Sequence, residues 1–145
     1  VSVNLPTQTG HKAEDVEFKT PTNPFKEMKS PNTDRAWISD LTGNTISYLS
    51  DCKNPADPSI EQIQNDTLSV LNDLEILFTQ KKTFNSREAV ETMAQGFIDG
   101  VAVKMKLLTF KKNSCSYSLV YGGVKEKFEP EIKHFNLFVS GFKAP

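Results

Sequence analysis

The sequence predicts an α+β domain: an antiparallel β-sheet with a central meander, flanked by helices over about residues 59–75 and 129–142. Three observations carry that prediction. Between Val101 and Tyr121 apolar and polar residues alternate with the period of a half-buried strand, on either side of a polar reversal at Lys111–Ser114. Asp99-Gly100 just upstream is a tight-turn dipeptide, because both residues tolerate the positive φ that such hairpins require. After Ser59, and again after Glu129, the apolar residues fall at the spacing of one helical face.

A chain of 145 residues is one domain by length, large enough to bury a single ordinary core. Seventeen basic residues stand against eighteen acidic ones, for a net charge of −1. That balance excludes partners bound by phosphate neutralisation, so neither nucleic acid nor an anionic membrane surface is expected. Apolar residues make up 37% of the chain and ten are Phe, which points to a core of aromatic character. No apolar run approaches the ~18–20 residues needed to cross a bilayer.

Taken in order, Val1 to Glu14 is polar and without periodicity, and reads as a flexible leader before a single domain over 15–145. Val16, Phe18 and Thr20 then alternate as a first strand. Thr22 to Pro31 carries two prolines and reads as loop or sheet edge, with Phe25 and Met28 as anchors to the core. Ala36–Ser39 is a short strand, Leu41–Asn44 a turn, and Thr45–Cys52 a longer strand. The loop Lys53–Pro58 leads to Ser59, which with Gln62 forms a capping-box pattern. Ile60, Ile63, Thr67, Val70, Leu71 and Leu74 make the apolar face of the first helix.

Leu74–Phe84 returns to a strand. Ser86–Gln95 has helical propensity and a helical apolar face of Ala89, Val90, Met93 and Ala94. The Asp99-Gly100 turn nevertheless demands a strand on its near side. We therefore expect a strand from about Glu88 to Ile98 pairing with Val101–Phe110, because tertiary context outranks propensity. Gly122-Gly123 reads as the end of the sheet. The second helix, Glu129–Phe142, has Pro130 in its first turn, Phe128 as a staple, and a stripe of Ile132, Phe135, Phe138, Val139 and Phe142.

Chemistry-bearing motifs are sparse. His134 has no orienting carboxylate or nucleophile named by spacing, and His11 sits in the polar leader. No ligand spacing for a metal and no glycine-rich phosphate loop occurs, so no catalytic residue, cofactor or metal is expected. Asn65-Asp66-Thr67 matches a glycosylation acceptor but falls inside the expected helix. The candidate interaction surface consists of Trp37, Asp40, Arg87, Lys104 and Lys106, the two lysines belonging to a basic patch with Lys111 and Lys112. Solvated lysines that discourage edge pairing are the simpler explanation of that patch, with an interaction surface as the minority reading.

The segments AWISDLTGNTISYLSDC, EAVETMAQGFIDGVAVKMKLLTFKKNSCSYSLVY and FEPEIKHFNLFVSGF, in this order, resemble the PsbP-like fold family over roughly Val16 to Phe142. That family groups photosystem II extrinsic subunits, a Ran-binding nuclear import factor and bacterial proteins that include predicted lipoproteins. The resemblance implies an α/β/α sandwich, a strand over Ser86–Gln95, and a binding or assembly role without catalysis. No residue matches a photosystem or Ran-binding surface, so an unspecified protein partner is expected. With the polar leader and the absence of an initiator Met, it implies export to the periplasm or outer membrane, with a lipid anchor ahead of Val1. The alternative is a small-ligand binder or enzyme using a cleft between sheet and helix, with Tyr48, Tyr117, Tyr121 and His134 as its polar groups.

Cys52 and Cys115 fit no zinc or CxxC pattern and allow one disulfide. Cys52 ends one expected strand and Cys115 begins another, so adjacent antiparallel strands would bring the sulfurs together. The other reading is two buried free thiols.

Overall fold

The computed structural model describes residues 10–145 and builds the meander into a seven-stranded antiparallel sheet. In chain order the elements are β1 (Phe25–Met28), β2 (Arg35–Ser39), β3 (Thr45–Cys52), α1 (Ile60–Leu68), β4 (Asn72–Phe84), β5 (Arg87–Ile98), β6 (Val101–Lys112), β7 (Cys115–Val124) and α2 (Ile132–Gly141). Across the sheet the strands run β1-β2-β3-β7-β6-β5-β4. Two meanders, β1–β3 and β4–β7, are thus joined along β3 and β7. The crossover through α1 carries the chain from mid-sheet to the far edge.

The long meander is built by three two-residue reversals in which both residues have positive φ: Asn85-Ser86 (52° and 63°), Asp99-Gly100 (49° and 79°) and Asn113-Ser114 (51° and 69°). Loops of this type match the right-handed twist of the flanking strands and so fix the register. Arg87–Ile98 is a strand, paired with β4 on one side and, from Ala89 to Ile98, with β6 on the other. Its helical propensity is overridden by these two ladders.

Each face of the sheet carries one helix. On the α1 face, Leu68 of the helix and Leu71 just after it pack with Ala94, Val103, Met105, Leu107 and Val120 of the sheet. The α2 face is aromatic: Trp37, Tyr48, Phe110, Tyr117, Tyr121, Phe128, Phe135, Phe138 and Phe142 pack together there. Tyr121 and Phe135 stack with centroids 5.7 Å apart, and Phe142 meets Tyr48 edge-on at 5.1 Å. Edge-to-face and offset stacks are the geometries that ring quadrupoles favour.

The capping box of α1 is formed: Ser59 Oγ accepts from the Gln62 N–H at 3.1 Å, and Gln62 Oε1 accepts from the Ser59 N–H at 2.8 Å. The helix stops at Leu68, short of the expected 75. Gly96 shows why. A Cβ there would lie 2.7 Å from the Asn72 carbonyl oxygen and 3.0 Å from Leu71 Cβ, so the chain crosses close over Gly96 and enters β4. The buried face is also rotated from the expected one, towards Gln64, Thr67 and Leu68. Gln64 explains it, since its amide donates to the Val90 carbonyl at 2.9 Å and accepts from Thr92 Oγ1 at 2.6 Å.

Three further expectations are corrected. Val16–Thr20 is not a strand but makes one isolated bridge, Glu17 with Lys143 in the segment after α2; its alternation reflects Phe18 packing on Trp37, Tyr48 and Phe138. Gly122-Gly123 does not end the sheet; it lies within β7, because Asn44 approaches too closely for any side chain. The second helix begins at Ile132 rather than 129, preceded by the 3₁₀ turns Lys125–Lys127 and Glu129–Glu131, the latter holding Pro130. Of the expected leader, residues 1–9 lie outside the described part of the structure. From His11 the chain already pairs with Cys52, through bonds of 2.9 and 2.7 Å.

Candidate functional site

β4 is the outermost strand on its side of the sheet among the described residues, and twelve of its thirteen residues are solvent-exposed. Leu74, Ile76, Leu77 and Phe78 are each 38–45% exposed, and Phe97 and Val101 continue the apolar surface onto the neighbouring strands. Sheet edges carry unpaired backbone donors and acceptors, which makes such a strand a template for another one. Two irregularities interrupt its pairing with β5, between Asn72 and Glu75 and between Ile76 and Phe78. The apolar half of the strand is therefore bulged. The other half carries Lys81 and Lys82.

The sequence-derived interaction residues are scattered. Trp37 is 1% exposed and belongs to the aromatic core. Asp40 forms an exposed ion pair with Lys26 at 2.7 Å. Arg87 sits at the β4–β5 reversal and donates to Asn113 Oδ1 at 3.4 Å. Lys104 and Lys106 share the α2 face, where they reach Glu129 (3.4 Å) and Asn136 (3.3 Å). Lys111 points to the other face and bonds Asp57 at 2.5 Å, so the hairpin lysines do not form one patch. Beside Lys111, an open polar basin of about 510 Å³ is lined by Asp51, Lys53, Arg87 and the residues around Cys115.

Tyr48, Tyr117 and Tyr121 are 6%, 1% and 0% exposed and are packed against α2. Burial, followed by the charge of Asp34, pushes the Tyr48 phenol up to about 12. Tyr121 has a structural task. Its hydroxyl donates to the Phe128 carbonyl at 2.6 Å and accepts from Asn44 Nδ2 at 3.0 Å. The same Asn44 amide reaches Glu131, whose carboxylate also accepts from Ser39 (2.7 Å) and Thr42 (2.5 Å). This network ties the β2–β3 turn to the start of α2. His134 lies apart from the three tyrosines, its ring 5.2 Å from Phe25, in an open groove of about 460 Å³ along α2. The four groups of the cleft reading do not converge.

A second charged group lies at the exposed sheet edge. Glu91 accepts from Gln80 Nε2 at 2.7 Å and pairs with Lys82 at 3.2 Å and Lys106 at 3.7 Å. Burial alone would raise its pKa; the Gln80 hydrogen bond and the two lysines outweigh it and hold the carboxyl below its ordinary value. Sequence reasoning missed both this cluster and the β4 edge. The apolar run Leu74–Phe78 was the available signal, but only the strand order shows that nothing described lies beyond it.

Cys52 and Cys115 form a disulfide. They face each other across β3 and β7. Both backbone groups of Cys52 bond His11 on its other side, so towards β7 the pair is a non-hydrogen-bonded one. Cross-strand Cα atoms approach most closely at such positions, here to 4.0 Å. No helix among the described residues is long and apolar enough to cross a membrane.

No protein-family model matches the chain, and no curated protein does. Solved structures do. The Mycobacterium tuberculosis protein LpqN, described as involved in cell envelope biogenesis, superposes with a TM-score of 0.72 at 11% identity, over 97% of this chain and 90% of that one. Cyanobacterial PsbP (CyanoP) from Synechocystis matches with a TM-score of 0.57 at 9% identity, over 99% of both chains. A Pseudomonas aeruginosa protein of unknown function, PA94, matches with a TM-score of 0.52 at 9% identity, over 91% of this chain and 83% of that one. The fold is therefore PsbP-like, as the sequence resemblance implied.

Proposed function

We propose that the protein is a non-enzymatic binding module of a bacterial cell envelope, an exported lipoprotein that works through protein contact at the open edge of β4. The observation that carries this reading is the edge itself: an outermost strand of thirteen residues with Leu74, Ile76, Leu77 and Phe78 exposed to solvent. Apolar residues on an unpaired edge are what proteins avoid unless a partner covers them. The packing of Tyr48, Tyr117 and Tyr121 in the aromatic core between the sheet and α2 supports a structural role for them. Two further points support the cellular setting. A disulfide persists in oxidising compartments and seldom in the cytosol. LpqN, described as an envelope-biogenesis protein, shares the fold.

The test places a photo-crosslinking residue at Leu77 in the protein produced in its native cells. The expected result is a covalent adduct to a protein in the envelope fraction, with Cys52 and Cys115 refractory to alkylation until reduced. No protein adduct at Leu77, together with two thiols alkylated without reduction, overturns the proposal.

A further inference from the structure

We infer that the open edge of β4 pairs with the β4 of a second copy of this chain, in an antiparallel two-fold dimer whose sheet runs through both molecules. The inference rests on reading that edge as a protein-contact surface, and it names the partner.

Charge order along the strand carries the argument. Asp73 and Glu75 stand in its first half, Lys81 and Lys82 in its second. An antiparallel copy sets the acidic half of each strand beside the basic half of the other. A parallel copy sets like beside like. The strand is thus self-complementary in the one arrangement that a two-fold axis generates.

The register agrees. Leu77 has no partner on β5, since Ile76 pairs with Ala94 and Phe78 with Met93, so Leu77 is the extra residue of a bulge. Counting past it, Glu75 and Lys82 fall on the same face of the sheet, opposite Gln95 and Ala89. A two-fold axis at Thr79 then sets Thr79 against its own copy, Phe78 against Gln80, Ile76 against Lys81 and Glu75 against Lys82. Every one of these pairs shares a face, as cross-strand neighbours must. The side chain of Lys82 is 41% exposed while it holds Glu91, which leaves donors for a second carboxylate.

Lysines and bulges on an edge deter indiscriminate strand addition. Here they act selectively, because an incoming strand lacking a carboxylate opposite Lys82 would leave that lysine against an apolar or basic neighbour. A strand of thirteen residues spans roughly 40 Å at ~3.3 Å per residue. Its contact area sits towards the low end of the ~1,200–2,000 Å² of ordinary stable interfaces. The dimer is accordingly concentration-dependent.

Sedimentation velocity from low-micromolar to near-millimolar protein tests this. The wild type is expected to show a monomer–dimer equilibrium. The acidic-edge variant Lys81→Glu/Lys82→Glu and the basic-edge variant Asp73→Lys/Glu75→Lys are each expected to be monomeric. Mixed in equal amounts, they are expected to recover the dimer, which also shows that both are folded. A Thr79→Cys variant supplies a readout that leaves the charges in place. The native protein has no free cysteine among the described residues, so mild oxidation is expected to give a covalent dimer through the axis. Thr83→Cys, away from the axis, is expected to give none. A wild type that stays monomeric throughout, charge variants that still dimerise, or a Thr79→Cys protein that never cross-links overturns the inference. If the wild type is monomeric while the Leu77 probe still captures another envelope protein, self-pairing falls and the binding-module reading stands.

Discussion

At the scale of single residues, Glu91 sets how the protein responds to acid. Its carboxyl is held below its ordinary value, so it contributes stability that is complete above the unfolded value near 4.5 and is lost as pH falls through the lower folded one. Glu91→Gln removes the charge that Lys82 and Lys106 face, and we expect it to cost about 2 kcal/mol near neutral pH. The variant is also expected to show a flatter loss of stability on the acid side, and urea midpoints measured from pH 3 to 7 check both outcomes. None of this was legible in the sequence, where Glu91 was one carboxylate of many. Gly123 is a related case. As a residue type it reads as a sheet breaker, yet a Cβ there would stand 1.8 Å from Asn44 Oδ1. Its smallness serves Asn44, seventy-nine positions upstream, and no local pattern reports such a distant neighbour.

At the scale of elements, local chemistry was readable wherever it was self-contained. Ser59 and Gln62 satisfy each other across one helical turn, so the start of α1 could be placed to the residue. Ser59→Ala is expected to destabilise the protein by about 1 kcal/mol through the orphaned N–H groups of the first turn, read as a lower thermal midpoint with unchanged unfolding cooperativity. The end of α1 was not readable, because Leu71 and Leu74 continue a helical period and only contact with Gly96 turns the chain. For β5 the order of evidence reverses. Ala89 to Ala94 favours a helix locally, and the Asp99-Gly100 reversal supplied the strand. Asn85-Ser86 and Asn113-Ser114 make the same reversal with residues of weaker signature. The open edge of β4 follows from strand order, which depends on where the crossover after β3 lands.

At the scale of the whole molecule, one covalent bond ties the two meanders together. Cys52 and Cys115 are 63 positions apart, and they close the seam between β3 and β7. For a loop of that length the chain-entropy model gives stabilisation on the order of 4 kcal/mol. A Cys52→Ala/Cys115→Ala variant is expected to fold with a lowered thermal midpoint, and intact-mass measurement of the unreduced wild type is expected to show neither cysteine alkylated. Two alkylated cysteines there would remove the bond and its support for export together.

The same bond determines how the protein carries mechanical load. Everything from Lys53 to Ser114, which includes α1, β4, β5 and β6, lies inside the ring that the sulfurs close. Tension applied at the two ends of the chain passes from Cys52 to Cys115 without entering that ring. About 200 Å of chain, at ~3.5 Å per residue, therefore stays unextended until the disulfide is reduced. The backbone of β4 is never in the line of pull, so its edge bears no share of a force acting on the termini.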